Sequence, residues 1–191
     1  RWYLIKDISL GNDGDFQDRR FVDIINNDLA NTIGNLLNRT TSMSRKWFDN
    51  KVPINNEITS ENKLECLAKT SVKNYINKFN TYKLDQAANE VLNLAINTNL
   101  YLNDNQPWLL IKENEKLPIV KEIIYNVLES TRIIGLLLLP LLPELSSKIN
   151  VQLGSTYQKD VPWEQQLKWG LLISNSNLPK PSPIINKLEY E

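Results

Sequence analysis

Histidine is absent from all 191 residues. Histidine is the side chain whose ordinary pKa puts its charge change near neutral pH. Its absence removes the usual neutral-pH general acid or base from this stretch, and every His-ligated metal site with it. The single cysteine, Cys66, can form no internal disulfide and cannot build a zinc site by itself. It is expected to be a small buried residue on an apolar helical stripe, and such usage fits a reducing cytoplasm. There is no Gly-rich phosphate loop, no nucleophile elbow and no metal-ligand spacing, and carboxylates occur only as scattered charge. Excess charge of one sign is missing too. Lys plus Arg number 22 and Asp plus Glu 22, so bulk attraction to nucleic acid or membrane is ruled out and any such binding must come from a local patch. A membrane span needs about 20 apolar residues. The most apolar run, Ile133 to Leu142, is interrupted at Pro140 and followed by Pro143, which makes it a core helix. The first residues lack a signal-peptide pattern.

What is there is helical periodicity. Val22, Ile25, Leu29, Ile33 and Leu36 fall on one stripe, in a helix expected from about Phe16 to Trp47 with Asp15 as its N-cap. Pro53 ends it. After a loop at Asn55 to Thr59, Ser60 is expected to open a second helix with Leu64, Leu67, Val72, Tyr75, Ile76 and Phe79 inward and Lys69 and Lys73 outward. A third, Leu84 to Leu102, turns Ala87, Ala88, Val91, Leu94, Ala95 and Leu102 inward, and small residues let helices approach closely. Pro118 opens a fourth, where its missing N–H costs nothing; Arg132 is embedded in its apolar face and Pro140 ends it. Glu144 to Leu153 forms a short last helix closed by Gly154. Residues Arg1 to Leu10 alternate loosely and read as a short strand or extension, and Leu178 to Pro183 is an extended, Pro-rich tail. The expected fold is all-α: an antiparallel bundle of about five helices. It divides into an N-terminal connecting segment (1–15), the bundle (16–154) and a C-terminal extension packing back on it (155–191).

Two features stand apart from the core pattern. Asn31, Asn35 and Arg39 recur every four residues and therefore stack on one helix face. Asparagine is a mediocre helix former because its amide competes for backbone hydrogen bonds. An Asn amide pairs a donor with an acceptor, and Arg offers a planar fork of donors, so together they suit a nucleobase edge or a phosphate. The alternatives are buried amides bonding a neighbouring helix, compositional drift in an Asn-rich chain, and an ion pair of Arg39 with Asp28. The second feature is the polar turn from Asn103 to Gln106 that runs into Pro107 and Trp108. An indole there either plugs the core or offers its face to an unstacked RNA base.

Several stretches then agree with one family. Asn26 to Asn31 followed by Gly34 to Arg39, Arg1-Trp2-Tyr3-Leu4 followed by Gly14-Asp15-Phe16, Asn103 to Trp108, the run Leu136 to Leu145 with its two prolines, and Leu153-Gly154 together resemble the anticodon-binding domain of methionyl-tRNA synthetases. The resemblance covers nearly the whole chain in order. It implies a helical bundle that recognises the CAU anticodon loop of the methionine tRNA through the residues matching Asn35, Arg39 and Trp108. It implies a parent enzyme that joins methionine to tRNA using ATP, whose catalytic part would precede Arg1. ATP, and zinc where family members carry it, would belong to that part; neither the His-Ile-Gly-His nor the Lys-Met-Ser-Lys-Ser type signature is present, so no cofactor and no catalytic residue is expected in this chain. Its expected partners are the tRNA anticodon loop and that catalytic domain, with no membrane, in a monomeric cytoplasmic piece. The tail departs from the family's Pro-Leu-Phe-Pro-Arg-Ile-Glu: here it reads Pro183-Ile184-Ile185-Asn186-Lys187-Leu188-Glu189, which puts its docking in question. The other function classes in view are an RNA-binding module of a different class I synthetase and an interaction bundle with no RNA role.

Overall fold

The computed structural model describes residues 1–54 and 62–190. The expected loop at Asn55 to Thr59 and the Ser60 helix start lie outside the described residues. The observed elements are α1 (Trp2–Asp7), α2 (Asp18–Ile24), a π-helical run (Ile25–Gly34), α3 (Asn35–Trp47), α4 (Lys63–Asn80), α5 (Leu84–Asn105), α6 (Pro107–Leu110), a 3₁₀ turn (Asn114–Lys116), α7 (Leu117–Leu138), α8 (Pro143–Gln152) and α9 (Trp163–Gln166). No strand is present among the described residues, and the bundle architecture is the one the periodicity implies. α5 is its centre: α4, α7 and α1 all pack on it, and α7 carries α3 and α8. Ala87, Ala88, Val91, Leu94, Ala95 and Leu102 are fully buried, and the three alanines let the flanking helices close onto α5. α7 is buried almost all round, the pattern of a helix at the middle of a core.

Three local expectations are corrected. The N-terminus is helical, not extended. Trp2 and Tyr3, adjacent and both buried, serve two different neighbours. Trp2 Nε1 donates to Asp28 Oδ2 at 2.9 Å. The Tyr3 ring packs edge-on against Phe16 and Phe21, and its hydroxyl reaches the carbonyl of Asp15 and the N–H of Gln17. Those contacts hold Asp15 to Gln17 extended, so the helix starts at Asp18 with Gln17 as its N-cap, and Asp15 caps nothing. Cys66 is exposed. The buried face of α4 is Leu64, Ala68, Ser71 and Tyr75, and a residue two positions after Leu64 points away from that face. Asn62 caps α4, its side chain accepting from the N–H groups of Leu64 and Glu65.

The first long helix is continuous but not uniform. In the run Ile25–Gly34 the hydrogen bonds step five residues: the N–H of Asn35 reaches the carbonyl of Ala30, and Thr32 Oγ1 takes the carbonyl of Asn27 at 2.7 Å. Gly34 permits this geometry. A Cβ there would lie 3.1 Å from the Leu29 carbonyl, tighter than ordinary van der Waals contact. Such wide turns are rare and concentrate at functional sites.

Residues 167–188 return across the bundle. Leu167, Leu172, Leu178 and Ile184 are buried. The Gln152 amide donates to the carbonyl of Ser182 at 2.5 Å and accepts from its N–H at 3.3 Å. Asn26 does the same with Leu188, at 2.9 Å in both directions. The tail is docked, and the divergent residues 183–188 are part of the docking.

Candidate functional site

α3 presents its polar face beside the α5–α6 junction. Asn31 and Asn35 are exposed and Arg39 is half-buried, so the reading of these asparagines as buried amides fails. Asp28 does not pair with Arg39 either. It lies one helical stretch earlier on the buried side, where Lys6 Nζ contacts it at 2.6 Å and Trp2 donates to it. Arg39 instead donates from Nη2 to Asn103 Oδ1 at 3.0 Å, and its guanidinium carbon lies 5.7 Å from the centre of the Trp108 ring. The two features that stood apart in the sequence, on segments about 70 residues distant, form one surface. Asn35 sits one turn of helix, about 6 Å of rise, from Arg39 on the same face.

The geometry of the junction explains the position of the indole. α5 runs through Asn103, Asp104 and Asn105, further than the hydrophobic pattern predicts, so the polar stretch is the helix's last turn, not a free loop. A single left-handed residue, Gln106 (φ 44°, ψ 54°), breaks it. Pro107 then begins α6 at the position where its missing N–H costs nothing. Pro107 is buried, and Trp108 next to it is 36% exposed. The junction therefore anchors one residue and offers the other to solvent.

Around this surface lie two clefts. The first, about 400 Å³, is bounded by Arg39, Met43, Lys46, Trp47 and Trp108. The second, about 380 Å³, lies between the asparagine face and the tail and is bounded by Asn31, Asn35, Asn38, Ile184, Ile185 and Lys187. The charged side chains lining them are Arg39, Lys46 and Lys187, all basic. The two clefts thus offer positive charge locally, in a chain with no net charge. Periodicity gave no sign of Asn103 as the partner that orients Arg39, because that partnership joins two helices. Nor did it bring Lys187, from the far end of the chain, to this face. No group of acidic, cysteine or histidine side chains among the described residues could hold a metal, and no helix among them is long and apolar enough to cross a membrane.

Comparison with known proteins identifies the family of the chain. The family described as the anticodon binding domain of methionyl tRNA ligase matches residues 52–191, and the class I tRNA synthetase family for methionine matches residues 1–41. The methionine–tRNA ligase of Synechocystis sp. is 36% identical, over 99% of this chain and 37% of its own length. That of Nostoc sp. is 38% identical over 99% and 37%, and that of Bacillus subtilis 33% over 100% and 29%. Among solved structures, the free methionyl-tRNA synthetase of Mycobacterium tuberculosis superposes with a TM-score of 0.87 at 25% identity, covering 100% of this chain and 38% of that one. The same enzyme bound to methionyl-adenylate gives 0.83 at 26% identity, over 96% and 36%. The chain spans 29% to 37% of the length of these curated relatives. It belongs to the methionyl-tRNA ligase family, through the family's anticodon-binding domain.

Proposed function

We propose that this chain reads the CAU anticodon loop of a methionine tRNA, within a cytoplasmic methionine–tRNA ligase that uses ATP. The observation that carries the reading is the Arg39–Trp108 pair: a guanidinium and an indole half open to solvent, one turn from the exposed Asn35 amide. Each group has a use in binding an unpaired base. The indole offers a stacking face worth about 1–3 kcal/mol per base. Arg39 carries five N–H donors, of which one is engaged by Asn103, so a planar fork remains for a base edge. Asn35 can both donate and accept on such an edge. The contact between Arg39 and the indole is itself weak, about 0.5–1 kcal/mol at an exposed site, so a base can displace it at small cost. These residues bind and orient; adenylation and transfer of methionine, with ATP and any zinc, would belong to the catalytic part of a longer protein. The monomeric state of the piece is part of the same proposal.

The test is Arg39→Lys, measured by binding of tRNA with the CAU anticodon and with an altered one. A point charge cannot replace a planar fork. The expected loss is roughly 1–3 kcal/mol on the cognate tRNA, by analogy with bidentate base contacts, with little loss on the altered one. Wild-type affinity and discrimination in Arg39→Lys would make Arg39 a structural residue and remove the basis of the reading.

A further inference from the structure

The cleft beyond Asn35 is shared with the three residues above through Asn35 alone. Its inner wall is the asparagine face of the π-helical run and α3: Asn31, Asn35 and Asn38, all exposed. Its outer wall is the tail, with Lys187 exposed at the rim and Ile184 buried at the base. Its volume, about 380 Å³, lies within the roughly 300–1,000 Å³ usual for small-molecule sites. The wall that carries Lys187 is fixed. The amide of Asn26 clasps both backbone groups of Leu188, and Ile184 fills the space beside Gly34, where a Cβ would stand 3.7 Å from its Cγ1. One residue before that clasp, Lys187 starts from a held backbone position. Asn35 and Asn38 join this cleft to the Arg39–Trp108 surface, since Asn38 also lines the neighbouring cleft.

We propose that this cleft is a second nucleotide subsite, resting on the anticodon reading above: Lys187 pairs with a backbone phosphate of the RNA strand flanking the anticodon, and Asn31 and Asn38 face the adjoining sugar. The chemistry favours this division of labour. An ammonium is a compact point charge suited to phosphate rather than to a base edge, and phosphate contacts fix register without reading sequence. The amides can donate to and accept from ribose hydroxyls, whose 2′-OH is both donor and acceptor. The tail, which carries no stacking group at this point, thereby sets the direction in which the strand leaves Trp108.

The experiment is a salt titration of binding to a hairpin of the anticodon arm alone, CAU in its loop, which contains no acceptor stem. The proteins are the unaltered chain, Lys187→Ala, Lys187→Met and Lys187→Arg. Each phosphate neutralised contributes about 0.7–0.9 to the slope of log affinity against log salt. Lys187→Ala is expected to weaken low-salt binding about three- to tenfold and to flatten the slope by about that amount, equally for CAU and altered loops, with Lys187→Arg retaining both. Lys187→Met keeps the aliphatic stem; if the Ala variant loosens the tail and melts early, the Met variant decides. An unchanged slope in Lys187→Met overturns the subsite while leaving the anticodon reading standing. Failure of the unaltered chain to distinguish a CAU hairpin from an altered one overturns the anticodon reading, and the subsite with it.

Discussion

Trp108 can be assigned by separating what it does for the fold from what it does for a ligand. A buried indole contributes about 3–5 kcal/mol to stability by truncation. Trp108 is 36% exposed and sits beside Pro107, which is the buried member of the junction. Trp108→Ala is therefore expected to leave the melting temperature within a few degrees of wild type, yet to weaken binding of the anticodon hairpin about ten- to a hundredfold; Trp108→Phe should recover much of the loss. Early melting with normal binding by the folded fraction would return the residue to the core. Asp28 is the opposite case. It is 8% exposed and serves both Lys6 and the Trp2 indole. Asp28→Ala would leave a buried indole N–H without its acceptor and Lys6 without its counter-charge. The expected cost is about 2–4 kcal/mol by urea unfolding, with no effect on discrimination between anticodons. The contrast shows what was legible at this scale. Arg39 and Trp108 announced themselves because each broke a pattern: a fork of donors on a face of amides, and an indole after a polar stretch. Asp28 did not, because a carboxylate on the polar shoulder of a helix looks solvated until the partner that covers it, Trp2, is located.

At the scale of elements, the stripes of α4 and α5 were legible because each helix buries one periodic face, and period survives without knowledge of the partner; α7 was legible as an apolar run, which is buried almost all round. What periodicity could not show was the reach of polar groups between elements. The N-terminal helix was missed because Trp2 and Tyr3 are buried against different neighbours, so the segment carries no single stripe. Arg132, embedded in an apolar face, is explained only by the chain that returns over it. It donates twice to Glu129, at 2.7 and 2.9 Å, and once each to the carbonyls of Gln166 and Lys168. Glu129, fully buried, also accepts the N–H groups of Gly170, Leu171 and Leu172. One carboxylate thus fastens residues 170–172 to α7, and every group facing it is a donor. Glu129→Gln would turn an amide N–H₂ toward donors and leave Arg132 uncompensated. The expected loss is about 3–5 kcal/mol, with proteolytic cutting in 154–176 rising first, since that segment is the part released. Stability within half a kilocalorie of wild type would show that the apolar contacts of Leu167 and Leu172 hold the segment alone. One turn further along α7, Gly135 admits α8 closely. A Cβ there would lie 2.9 Å from Ile149 Cγ2, and Ile149 is fully buried, so Gly135→Ala overpacks this contact and should cost about 1–3 kcal/mol.

The response to pH expected of the whole molecule starts from the missing histidine. With no side chain of that type, folding stability lacks its commonest source of variation near neutrality. Three tyrosines couple folding to protons at the alkaline end. Burial pushes the Tyr75 hydroxyl far above the ordinary phenol range, and it finds no hydrogen-bond partner among the described residues. Burial, with Glu129 nearby, raises Tyr125 to about 12, and burial raises Tyr101 against the opposing effect of its bond from Asn126. The sign follows from where the protons sit. Above about pH 10 the unfolded chain releases its phenolic protons while the folded one keeps these three, so the unfolded state binds fewer protons and stability falls as pH rises. Below pH 10 both states are protonated at these sites and the contribution is complete. Urea unfolding should therefore give a nearly constant free energy from about pH 6 to 9 and a steep fall between about pH 10 and 12. Over the same interval the tyrosinate absorbance of the folded protein should lag that of the chain in urea. Tyr125→Phe is the discriminating variant. It gives up the hydroxyl's bond to the Leu172 carbonyl, 3.1 Å long and worth about 1 kcal/mol, at every pH, but it removes one of the late-titrating groups. Its stability should lie below wild type at pH 8 and approach it by pH 11. Parallel curves for the two proteins through that interval would mean that Tyr125 ionises alike in the folded and unfolded chains, and would leave the alkaline loss to Tyr75, Tyr101 and the lysines.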